Sequence, residues 1–110
     1  MNVTQQAHYA FVHQNDIRYE RFTIYVKEVT VENQVGLHAR PATFFIQKAN
    51  EFKSSIWVEK EERRVNAKSL LGVLSLGIVG GTTIRIIADG ADEQAAVDGL
   101  IKLVESGFAE

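Results

Sequence analysis

The chain has 110 residues, with 12 Lys and Arg against 14 Asp and Glu, a formal net charge of −2. That length suits one domain, and this near-balance of charge gives no basis for non-specific binding to nucleic acid or to a membrane surface. The absence of cysteine excludes disulfides, thiol catalysis and thiolate metal sites. No apolar run approaches the ~18 residues of a spanning helix, and the first 20 residues lack the basic start and apolar stretch of a signal peptide, so a cytoplasmic protein is expected.

Residues 1–21 are polar, rich in Gln, Asn and His, and show no sustained periodicity. They read as an extension, flexible or partly packed on the sheet. A regular domain is expected over residues 22–110. Phe22 to Val31 is rich in β-branched and aromatic residues and predicts a strand. Its phase is ambiguous. Phe22, Ile24 and Val26 alternate one way and Val29 and Val31 the other, so a bulge is one solution and a strand starting near Tyr25 is another.

Gly36 breaks the run. Pro41, the only proline, stands where a first helical turn accepts it. Ala42, Phe45, Ile46, Ala49 and Phe52 then mark the apolar face of a helix, with Phe44 off that face. Ser54–Glu59 and Arg63–Ala67 alternate and suggest a hairpin, although Glu61 and Glu62 are unusual residues for its turn. Ser69–Leu76 predicts a short helix with Ser69 as N-cap. Thr82–Ala88 predicts a strand. A last helix is capped by Asp92, buries Val97, Leu100, Ile101 and Val104, and ends at Gly107 with Phe108 against Leu103. The order is βαββαβα. Hairpins mixed with helices imply the α+β class, an antiparallel sheet with helices on one face.

One segment carries chemistry: Gly36-Leu37-His38-Ala39-Arg40-Pro41-Ala42. Glycine allows a sharp turn. The helix then opens at Ala39 or Arg40 and leaves His38 at or just before its N-cap. Unpaired amides and the positive end of the helix dipole favour an anion there. Arg40 adds a guanidinium that can fork onto phosphate oxygens, and a neutral imidazole is a good nucleophile. The set predicts a histidine that becomes phosphorylated, because phosphoryl transfer needs little beyond positioning and charge neutralisation. A metal site is not expected, since no further ligand sits at suitable spacing. A hydrolase using His38 as general base is disfavoured: no nucleophile, metal set or paired carboxylates accompany it.

The segment Leu37–Ala42 resembles the active-site signature of the HPr family, the histidine-containing phosphocarriers of the sugar phosphotransferase system. Lys68–Gly77 looks like the regulatory-serine region of HPr from Gram-positive bacteria, and Asp89–Glu93 is similar to the family's tail segment. The three blocks stand in family order, over roughly residues 25–108. The resemblance implies an open-faced β-sandwich, with four antiparallel strands and three helices on one face. It implies a stoichiometric carrier and not an enzyme, without cofactor. His38 would accept phosphate on Nδ1 from enzyme I and pass it to the EIIA components of sugar permeases, assisted by Arg40. Ser69 would be modified by an HPr kinase/phosphorylase, and the phosphoserine form would bind a LacI-type catabolite control repressor. A monomer is the default, with no direct nucleic-acid contact and no membrane insertion.

Ala39, Leu70, Leu71 and Leu74 are candidates for a docking patch beside His38, because so short a helix cannot bury every leucine. The alternative is a mainly regulatory module controlled through Ser69. Val65-Asn66-Ala67-Lys68-Ser69 resembles the catabolite-repression homologue of HPr, but that homologue has Gln where this chain has His38. Two departures from the family stand out. The extension is about 20 residues longer than usual, and a Glu-rich turn replaces Asn-Gly. If Ile56, Val58, Ile84 and Ile86 face the helices, Trp57 and Ile87 face the open side of the sheet. Val26 joins them if Val29 and Val31 point inward. Phe11, Tyr19 or Phe22 is then expected to cover Trp57.

Overall fold

The computed structural model describes the backbone of residues 3–11, 21–33 and 36–108, with side chains from residue 24 onward in those ranges. The elements are β1 (Val3–Phe11), β2 (Arg21–Thr30), α1 (Ala39–Ala49), β3 (Ser55–Lys60), β4 (Arg63–Asn66), α2 (Leu70–Ser75), β5 (Thr83–Asp89) and α3 (Glu93–Glu105). All strands pair antiparallel in one sheet of order β1-β2-β5-β3-β4. From β2 onward this is the expected βαββαβα fold with four antiparallel strands. The difference is β1. Part of the expected extension forms a fifth strand, running from Val3 opposite Val29 to Phe11 opposite Arg21. The side chains of Phe11, Tyr19 and Phe22, expected over Trp57, lie outside the described residues.

The ambiguous strand resolves without a bulge. The pairing of β2 with β5 is continuous from Tyr25–Ala88 to Thr30–Thr83. Tyr25, Val29 and Val31 therefore point to the helices, where they join Ile56, Val58, Ile84, Ile86 and Ala88 in the core. The helices close that core with Ala42, Phe45 and Ala49 of α1, Val73 of α2, and Ala96, Val97, Leu100, Ile101, Leu103 and Val104 of α3. Burying a residue such as Phe45 contributes roughly 1.5–3 kcal/mol. Lys27 shares this face and reaches Asp98 of α3 at 2.6 Å. The bond to that carboxylate raises the lysine above its ordinary pKa.

The open face carries two cross-strand rows. Val26, Ile87 and Trp57 stand opposite one another across β2, β5 and β3. Beside them run Glu28, Arg85, Glu59 and Arg64, alternating in sign across four strands. Arg85 lies 3.4 Å from Glu28 and 2.8 Å from Glu59, and Arg64 lies 3.3 Å from Glu59. The same face forms a shallow groove of about 210 Å³ lined by Val26, Ile87 and Trp57 and by Arg85, Glu59 and Arg64, with Ile24 and Asp89.

Two sequence readings of the ends are refined. The α3 terminus is a Schellman motif: Phe108 N–H donates to the Leu103 carbonyl at 2.8 Å and Gly107 N–H to Val104 at 3.0 Å. Asp92 stands at the N-cap of α3, yet its carboxylate does not cap that helix. It crosses to the start of β3 instead. There it accepts from the amides of Lys53 and Ser54, each at 2.9 Å, and from the Ser54 hydroxyl. Glu93 takes the neighbouring amide, accepting from Gly90 N–H at 3.0 Å.

The Ser54 hydroxyl, followed by the Lys53 amide, holds Asp92 down at about 2 against an ordinary 3.8. A depressed carboxylate contributes stability that is fully present above its unfolded pKa and is lost as pH falls through the folded one. The difference in urea midpoint between the native chain and Asp92→Asn is therefore expected to be large at pH 5 and to shrink as pH falls from 3.8 towards 2. A difference constant across that range would contradict the joint.

Candidate functional site

The site is built by a turn that must expose one residue directly after burying another. Gly36 adopts a left-handed φ of 66°. A Cβ there would overlap the Ile78 carbonyl and the Val79 Cα, so both the dihedral and the space require glycine. The Gly36 amide donates to the Asn33 carbonyl at 3.2 Å, and the Asn33 side-chain amide donates to the Gly36 carbonyl at 2.9 Å. Leu37 N–H donates to the Ile78 carbonyl at 2.9 Å, and both side chains are buried.

His38 follows, exposed, as the N-cap of α1 in an extended conformation. Its carbonyl accepts from Ala42 N–H at 2.8 Å, so its backbone starts the helix. Its imidazole makes no capping bond. The first amides of a helix have no intrahelical partner, and those of Ala39 and Arg40 lie at the positive end of the dipole. Pro41 brings no amide to this turn, and no acidic residue sits in it to compete for the positive end. Ala39 and Arg40 are exposed. The Arg40 guanidinium rests over the Phe44 ring, 5.7 Å from its centroid.

Ser69 occupies the expected N-cap of α2, and its hydroxyl accepts from Gly72 N–H at 3.1 Å. That helix is shorter than predicted, ending at Ser75. Lys60 and Arg63 hold its C-terminal end: Lys60 donates to the Leu76 carbonyl at 3.1 Å and Arg63 to the Ser75 carbonyl at 2.9 Å. The leucines divide. Leu71 is 81% exposed and Leu70 39%, whereas Leu74 is half-buried against the core. Sequence reasoning missed Val79, 53% exposed and packed by its backbone against Gly36. The cluster of Gly77, Gly80 and Gly81 around it was the available signal, because it marks a loop that must leave α2 and reach β5. Among the described residues, no group of three or more His, Asp or Glu could hold a metal ion, and no helix is long and apolar enough to cross a membrane.

An exposed histidine at the amide-bearing mouth of a helix, on a small antiparallel α+β sandwich, defines a class of phosphoryl-carrying domains. A family model described as "PTS HPr component phosphorylation site" matches residues 25–106. The HPr-like protein Crh of Halalkalibacterium halodurans is 49% identical over 79 residues, covering 72% of this chain and 94% of its own. The phosphocarrier protein HPr of Neisseria meningitidis serogroup A is 42% identical over 84 residues, covering 76% and 94%. The crystal structure of HPr-C-His from Thermoanaerobacter tengcongensis superposes with a TM-score of 0.75 at 46% identity, covering 77% of this chain and 96% of that one. The chain belongs to the HPr family, a family of phosphocarriers.

Gly36→Ala tests the turn. It forces a Cβ into the left-handed region and into the Ile78 backbone, and is expected to cost about 2 kcal/mol or more in a denaturant melt. Gly77 also has a positive φ, of 60°, but nothing lies within 4 Å of an added Cβ. Gly77→Ala is therefore expected to cost less, and equal losses would refute the packing argument.

Proposed function

We propose that the chain is a cytoplasmic phosphocarrier that relays a phosphoryl group on His38 from enzyme I to the EIIA components of sugar permeases. The observation that carries this reading is an imidazole free of any capping duty at a helix mouth whose amides are open to an anion. A His38 ring nitrogen attacks phosphorus. The new N–P bond forms as the bond to the donor breaks, and the reverse exchange delivers the group to the acceptor. The phosphoryl charge meets the Ala39 and Arg40 amides and the Arg40 guanidinium, which supply charge-assisted hydrogen bonds. In this proposal Ala39, Leu70 and Leu71, which are exposed, and half-buried Leu74 serve as a small apolar docking patch, suited to partners that must let go.

Ser69 is the regulatory position in this proposal, modified by an HPr kinase/phosphorylase. Phosphate there adds about −1.5 to −2 charge at the positive end of α2. Repulsion then slows charging of His38, and the modified form engages a LacI-type repressor. The carrier acts as a monomer and is recharged each cycle, so it is not itself an enzyme. A second reading, a mainly regulatory module, draws support from Val65–Ser69 and from the likeness to Crh.

Incubation with enzyme I and labelled phosphoenolpyruvate is expected to give acid-labile, base-stable label that disappears in His38→Ala. Label on Ser69 alone, needing ATP and the kinase, would replace the carrier by the regulator. Arg40→Ala is expected to weaken charging roughly 10- to 100-fold, the worth of a charged hydrogen bond of about 1.5–3 kcal/mol. Leu71→Asp touches a side chain already in water, so its melting temperature is expected to hold. Enzyme I binding by titration calorimetry is expected to weaken at least about tenfold when that charge is buried at the interface. Unchanged binding would remove Leu71 from the docking patch.

A further inference from the structure

Phe44 lies off the buried stripe of α1, so helix packing alone does not call for an aromatic there. Its ring is nonetheless anchored, packed against the core from a half-buried position. Arg40, one turn earlier on the same helix, lays its guanidinium over that ring at 5.7 Å. Among the described residues no carboxylate pairs with Arg40, and the ring is its one partner. A side chain near a helix start ordinarily leans towards the N-terminus. The same lean brings the Phe44 ring over the turn of the residue four positions before it, where it meets the guanidinium.

We infer that Phe44 is a positioning residue that parks Arg40 while His38 is bare, and that the phosphoryl group must win the arginine from the ring. The inference rests on the phosphocarrier reading of His38. The competition has a definite sign. An exposed cation–π contact is weaker than a charge-assisted bond to phosphate, so the arginine moves when His38 is charged. The ring nevertheless favours the bare form. Phe44 thereby makes the phosphohistidine slightly less stable and a readier donor.

The test compares native chain, Phe44→Leu and Phe44→Tyr. Leucine keeps an apolar contact with the core and removes the ring face; tyrosine restores that face. Native chain and each variant are mixed with a catalytic amount of enzyme I and limiting labelled phosphoenolpyruvate until exchange is complete. The label is expected to favour Phe44→Leu over the native chain by about 2- to 5-fold, the range of an exposed cation–π contact, and to divide evenly with Phe44→Tyr. NMR gives a second readout. The Arg40 side-chain protons are expected to carry an upfield ring-current shift in the bare native chain, to lose it on phosphorylation, and to lack it in Phe44→Leu throughout. An even division with Phe44→Leu, or ring-current shifts indifferent to phosphorylation, would overturn the inference and leave the carrier reading standing. Failure of every form to accept label on His38 would remove both.

Discussion

The site depends on the clasp between the turn at Gly36–Leu37 and the loop at Ile78–Val79. One backbone hydrogen bond and one glycine without room for a Cβ join two segments far apart in sequence. Leu37 and Ile78 sink into the same core on either side of that bond. The chain therefore enters α1 at a fixed angle, with Leu37 buried and His38 exposed one residue later. The buried face of α1 then sets the rotation of the helix, so Ala42, Phe45 and Ala49 decide where the free amides point. The clasp also carries Val79 to the edge of the site and ends the segment that leaves α2. The placements of His38 and Val79 are thus consequences of one packing arrangement.

The open face of the sheet shows a different economy. Glu28, Arg85, Glu59 and Arg64 pair in sequence across four strands. Exposed pairs of this kind contribute little each, about 0–1 kcal/mol. A one-residue slip of β5, however, would turn Arg85 into the core and Ile84 and Ile86 into water, and a slip of β3 would do the same with Glu59 and Val58. The ladder therefore works with the core to fix register. β1 extends this sheet at its edge, with Thr4 opposite Glu28 and Gln6 opposite Val26.

Much of this was legible in the sequence, and the reasons are local. The helical stripe of α3, the Gly107–Phe108 ending and the Ser69 cap each follow from one period or one dihedral, and the structure has them where the pattern put them. The Gly36–Ala42 segment stood out as the candidate site because a glycine, a histidine, an arginine and a first-turn proline each have a physical reason to be there. What was not legible is what needs a partner from elsewhere in the chain. The phase of β2 was settled by its pairing with β5, since its own residues alternate both ways. Asp92 was expected to serve its own helix and bonds instead to Lys53 and Ser54, which no local pattern announces. β1 escaped because Val3–Phe11 lacks a sustained alternation, and the place of Val79 depends on the clasp.

The two proposed phosphorylation positions differ in what they must give up. His38 begins its helix with the backbone alone, so a phosphoryl group on its ring displaces no hydrogen bond of the bare protein. The Ser69 hydroxyl is already committed to Gly72 N–H. Modification there converts the capping oxygen into a phosphate ester, and the cap survives only if a phosphoryl oxygen takes over that amide. A helix of six residues has little else at its start to compensate. On this reasoning His38 suits rapid, reversible traffic, in which each exchange leaves the fold untouched. In the proposed scheme Ser69 suits a slower switch driven by a dedicated enzyme, because the charge it would add stands at the root of Leu70 and Leu71, in the proposed docking patch.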